Sequence, residues 1–72
     1  MNREEHLRWA KARAYEYCDA GNVNDAFASF VSDLGKHPKL AEHPEIGQGM
    51  MMMVMNQLST PQAMRKWIEG FN

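Results

Sequence analysis

A chain of 72 residues and 8.3 kDa has room for one domain, and at this length only about 60% of the unfolded surface is buried, so the core must be thin and a deep catalytic pocket is hard to enclose. Eight Lys plus Arg against nine Asp plus Glu leave a net charge of −1, with no basic excess to release counterions from a phosphate backbone, which speaks against nucleic acid as a partner. A single cysteine, Cys18, excludes an internal disulfide and fits a reducing compartment.

The opening MNREEHLRW carries acids and no apolar stretch of the secretory kind, and no apolar run approaches the roughly 20 residues that span a bilayer. A cytoplasmic protein with no membrane contact is expected. The first segment predicts a helix over residues 3–20, with Asn2 as N-cap, Glu5 completing a capping box and Gly21 as the stop. At about 100° per residue, Leu7, Ala10, Ala14, Tyr17 and Cys18 share one stripe, while Glu5, Trp9, Arg13 and Glu16 fall opposite. A second helix over residues 23–36, capped by Asn22 or Asn24, presents Ala26, Phe27, Phe30, Val31 and Leu34 as its apolar face and Asp25, Ser29, Ser32 and Asp33 as its wet face. The Gly21-Asn22 connection is short enough to make the two helices antiparallel neighbours.

The stretch KHPKLAEHPE holds two His-Pro pairs, and each proline biases the histidine before it away from helical angles, so the stretch reads as a linker with a turn. Pro44 opens a third helix over residues 44–57; Thr60 and Pro61 open a fourth over 61–69, stopped by Gly70, with Met64, Trp67, Ile68 and Phe71 on its buried face. No stretch alternates as a strand does, and no Asn-Gly or Asp-Gly hairpin signal occurs. The expected fold class is all-α: a compact four-helix domain built on an N-terminal antiparallel helical hairpin.

The run GMMMMVM, residues 49–55, makes the third helix apolar nearly all round, and such a helix is either central or covered by something else. Ile46, Met50, Met53 and Val54 are expected inward, with Met51 and Met55 widening that stripe and Met52 opposite. Methionine fills irregular core gaps and also serves adaptable binding surfaces, so both core and partner surface are carried forward. A thioether copper site would need sulfur and imidazole ligands at repeated spacing; His37 and His43 lie upstream without it. No metal or cofactor is expected. Gly47 and Gly49 are expected to let another helix come close, and a lone Gly-Gln-Gly is no phosphate loop.

Local chemistry is sparse. His6 and Cys18 lie on one helix about 18 Å apart along its axis, too far to act as base and nucleophile. No Gly-x-Ser-x-Gly, Walker, His-Glu-x-x-His or Cys-x-x-Cys motif occurs, so neither enzymatic activity nor a small-molecule substrate is expected. Trp9 falls among His6, Arg13 and Glu16, and a large aromatic ringed by charges is typical of an interaction hot spot; stacking of Arg13 on the indole, or packing by another helix, is the alternative. The candidate partner-binding residues are Trp9, His6, Arg13 and Glu16 on the first helix and Met51, Met52 and Met55 on the third. The occupant is expected to be a protein partner or a second copy. A DNA-reading helix-turn-helix fits less well, since the second helix offers only Lys36 beside Asp25 and Asp33.

The segment AYEYCDAGNVNDAFASFVSDLGKHP, residues 14–38, resembles one tetratricopeptide-type helical hairpin, with Gly21 at the turn, Ala26 and Phe30 on the second helix, Pro38 at the close, and Ala14 and Tyr17 on the first helix. The pattern's tryptophan falls on Ala10, its leucine on Arg13 and its second small residue on Asp33, and one copy carries no peptide groove. The opening NREEHLRWAKARAYEY, the SDLGKHP joint, the methionine run and the ending LSTPQAMRKWIEGFN make the chain similar over nearly its full length to small proteins encoded by tailed bacteriophages. That resemblance implies no activity. It implies a non-enzymatic interaction module that docks on a host or phage protein in the host cytoplasm, with a self-associating assembly protein as the alternative.

Overall fold

The computed structural model describes residues 2–72. Five helices follow in order: α1 (Arg3–Asp19), α2 (Val23–Leu34), α3 (Pro38–Ala41), α4 (Pro44–Val54) and α5 (Pro61–Glu69), with no strand among the described residues. The fold is all-α, and α1 packs on α2 as a hairpin. The side chain of Asn2 accepts from the Glu5 amide at 2.7 Å; among the described residues the return bond of a capping box is not made. At the other end of α1, Gly21 adopts φ 80°, its amide donates to the Cys18 carbonyl at 3.0 Å, and the Asn22 amide donates to Tyr17 at 2.9 Å. This left-handed closure satisfies the carbonyls of Tyr17 and Cys18 in the last turn. Ala10 and Ala14 on α1 and Ala26 on α2 are fully buried, and such small side chains let the hairpin close onto Phe30 and Leu34. Tyr17, placed by periodicity on the buried stripe, is exposed.

The His-Pro stretch holds one more helix than expected. His37 and His43 stand in extended conformation, with ψ 124° and 126°, immediately before Pro38 and Pro44. Each Nδ1 accepts a backbone N–H two residues on, from Lys39 and from Glu45, both at 3.2 Å. The bias that proline imposes on its predecessor is therefore spent as N-cap geometry, and the short α3 delivers Leu40, fully buried, to the core.

Helix α4 ends at Val54, not at residue 57. Asn56 takes φ 61°, the Asn56 amide donates to Met53 at 3.0 Å and the Gln57 amide to Met52 at 2.8 Å. Asparagine does here what Gly21 does after α1. The rotation of α4 also differs from expectation. Gly49 is its buried residue, Ile46, Met52 and Met53 pack half-buried on the core, and Met50, Met51, Val54 and Met55 are 49%, 65%, 86% and 61% exposed. At about 100° per residue this is close to a quarter turn away from the predicted inward stripe. The cause is Trp67: a Cβ placed on Gly49 would lie 2.7 Å from its Cη2 and 2.8 Å from its Cε2, so the indole lies on bare α4 backbone. The ring cannot yield easily, because it stacks on Phe27 at 5.4 Å and meets Phe30 and Phe71 edge-on at 5.8 and 4.8 Å. Gly47, expected to do the same, faces open space.

On α5, Thr60 Oγ1 accepts from the Ala63 amide at 3.1 Å with Pro61 at the first position, and Met64, Ile68 and Phe71 are buried while Trp67 is half-buried. Lys11 of α1 reaches across to the far end, donating from Nζ to the carbonyls of Phe71 at 2.6 Å and Glu69 at 3.3 Å. It places a cation where the helix dipole is negative. Lys11→Met is expected to cost about 1.5 kcal/mol, the lower end for hydrogen bonds to a charged group. The loss should appear as a lower denaturation midpoint together with faster amide exchange at the end of α5.

Candidate functional site

The structure divides the candidate residues between two places. The first is built around Asp33, expected on the wet face of α2 but only 2% exposed. Its Oδ2 accepts from Arg13 Nε at 2.7 Å and its Oδ1 from Lys36 Nζ at 3.3 Å. A carboxylate taken out of water needs such partners. The same two cations cover Trp9, with the Arg13 guanidinium carbon 5.0 Å and Lys36 Nζ 5.6 Å from a ring that is itself half-buried. His6 is buried beside it, 5.2 Å from the indole, and its Nε2 lies 2.6 Å from the Asp33 carbonyl. A carbonyl oxygen only accepts, so Nε2 carries the proton.

His6, placed by the wheel among solvent-facing neighbours, thus serves the interior, and Trp9 is capped within its own chain. Arg13 remains about half exposed beyond its bond to Asp33, and Glu16 is exposed. His6, Trp9 and Arg13 form with Asp33 and Lys36 a joint between α1 and the end of α2, and Glu16 stands outside it. A sequence signal for it existed in the spacing of Arg13 and Asp33 across the hairpin, but an acidic side chain counts as wet in any periodicity argument.

His37 adjoins this joint, its ring 5.3 Å from that of His6. Desolvation, reinforced by the nearby His6, Lys39 and Arg3, holds its pKa below the usual value of 6.5. Because the folded-state pKa is lower than the unfolded one, the unfolded chain binds the proton more readily in acid. Stability is therefore expected to be full above pH 6.5 and to fall as the pH drops below it, and protonation at Nδ1 also removes the acceptor that caps α3. Thermal melts across the pH range, compared with His37→Asn, check this: asparagine caps without titrating, so that variant should lose part of the acid sensitivity.

The second place is the outer face of α4. Gly47, Met50, Met51 and Val54 lie along one side, with Met55 at its edge, and none of them is charged. Met51 and Met55 are exposed, whereas Met52 turns inward and packs half-buried on the core, contrary to its assignment as a surface residue. Met50 and Val54, expected inside, belong to this face.

Elsewhere the chemistry is limited. Burial pushes the Cys18 thiol up, with Arg65 opposing and Asp19 adding to the shift, so it stays protonated and a poor nucleophile. A cleft of about 530 Å³ lies between the two left-handed turns, lined by Asn22, Asn24, Asp25, Asn56 and Ser59 among others, and a second of about 490 Å³ runs along α1 to the chain's end, where Arg3 and Lys11 already bond to carbonyls. Both are open surface clefts, not enclosed cavities, and neither lining pairs a nucleophile with a histidine base. Among the described residues no three His, Cys, Asp or Glu side chains come together as metal ligands, and no helix is long and apolar enough to cross a membrane. No protein-family model, curated protein or solved structure matches the chain.

Proposed function

We propose that the protein is a non-enzymatic protein–protein interaction module that docks through the outer face of α4. The observation that carries this reading is the row Met50, Met51, Val54 and Met55, four large apolar side chains between 49% and 86% exposed on one short helix and its C-cap. Contiguous exposed apolar surface on a small domain marks an interaction site, and unbranched methionine adapts to the partner's relief. The capped state of Trp9 shifts the docking role away from α1. In the setting implied by the resemblance to small tailed-phage proteins, the protein docked upon is a host or phage protein, a second copy of this chain being among the candidates.

The test is a photo-cross-linking residue in place of Val54, which stands clear of the core at 86% exposure, compared in living cells with the same residue in place of Glu16, exposed on α1. Protein adducts from position 54 and not from position 16 are expected. No adduct at 54, or equal adducts at both, overturns the reading.

A further inference from the structure

We propose that the occupant of the α4 face is a second copy of this chain, with the two α4 helices packed antiparallel about a two-fold axis. This rests on the docking role of α4 proposed above and names its partner. A two-fold interface requires one patch to be complementary to itself, and the exposed stripe has that property. Its four central positions lie symmetrically about the midpoint between Met50 and Met51. Antiparallel pairing sets Met50 against Met51 of the other copy, and Gly47 against Val54. Gly47 has nothing within 4 Å of where a Cβ would stand, whereas Val54 is the most exposed large apolar residue described. The open slot on one copy thus meets the protruding side chain of the other.

Charge and packing favour the same arrangement. The stripe carries no ionised group, so an acidic or basic partner finds nothing to pair with, while an apolar helix face does. Parallel packing would bring the two positive helix starts side by side, whereas antiparallel packing sets each helix start beside the other's end. Of the longer helices, α4 also makes the fewest close approaches to its neighbours. A helix of 11 residues draws little stability from its own hydrogen bonds, being shorter than the roughly 12 to 15 residues at which isolated helices are still marginal, so a cover on its outer side braces it. One helix face falls short of the roughly 800 Å² per partner of standard interfaces, which makes this a concentration-dependent monomer–dimer equilibrium.

Sedimentation equilibrium from low micromolar to millimolar protein tests the association. The mean mass is expected to rise from 8.3 kDa towards twice that value, and Val54→Glu is expected to remain monomeric with unchanged helicity by circular dichroism. An equimolar mixture of Gly47→Cys and Val54→Cys then tests the orientation. On mild oxidation, mixed disulfides should well exceed the half that random pairing gives, and the buried Cys18 does not compete. A wild type that stays monomeric to millimolar concentration, a mass that climbs past the dimer, or a predominance of like-with-like disulfides overturns the proposal. A monomeric wild type whose position 54 still cross-links to another protein would remove the second copy while leaving the docking role intact; absence of both would remove both.

Discussion

Gly49→Ala is expected to destabilise the fold by about 2 kcal/mol, the balance between an overpacking cost of about 3 kcal/mol and a helix-propensity gain of about 1 kcal/mol. The overpacking term wins because the added carbon meets Trp67, whose ring is held by Phe27, Phe30 and Phe71. A core this small rarely supplies more than about 3 to 5 kcal/mol in total, so the melting temperature should fall by roughly 10 °C. Gly47→Ala, two residues away, meets nothing and is expected to raise stability by about 1 kcal/mol through propensity alone. Thermal melts at low micromolar concentration give both values. Combining Gly49→Ala with Trp67→Phe should recover part of the loss, since the smaller ring vacates the contact. If both glycine variants were stabilising, the docking of α4 on Trp67 would be wrong.

Arg13→Met is expected to cost about 2 kcal/mol, less than the roughly 3 to 5 kcal/mol typical when a buried ion pair loses one partner, because Lys36 stays within 3.3 Å of the Asp33 carboxylate. Trp9 loses one of its two covering cations in the same step. Asp33→Leu should be milder, since the cations left behind are about half exposed or more and can turn into water. The double variant Arg13→Met with Asp33→Leu should therefore be more stable than Arg13→Met alone, because no buried charge is left unpaired. Urea denaturation of the four proteins measures the coupling. Simple additivity of the two single changes would mean that the carboxylate does not depend on Arg13.

Where polar and apolar residues alternate with helical period, the residues themselves announced the architecture. The hairpin of α1 and α2 and the inward Met64, Ile68 and Phe71 followed from contrast between faces, and the starts at Pro44 and Pro61 from proline chemistry. Contrast was missing in α4. Successive methionines point in every direction around a helix, so they define no direction of burial; the rotation is set by a glycine that counts for little on any hydrophobicity scale and by an indole on another helix. Asn56 ended α4 through its tolerance of left-handed angles, a signal outweighed by the apolar run before it. The short α3 was hidden because a pre-proline histidine reads as a break, although a break in extended conformation with an acceptor nitrogen is also how a helix begins. Asp33 and His6 were beyond periodicity altogether, since their burial depends on partners from another helix.

Trp67 and Trp9 are the only two tryptophans in the chain, and they sit in unlike surroundings, one wedged among phenylalanines beneath α4, the other between a guanidinium and an ammonium group. The molecule thus carries two intrinsic optical reporters on separate joints. Emission from Trp67 follows whatever presses on or loosens α4, and emission from Trp9 follows the polar seam between α1 and α2, so variants that keep one indole each, Trp9→Phe and Trp67→Phe, report engagement of the outer methionines and opening of the hairpin without an attached dye.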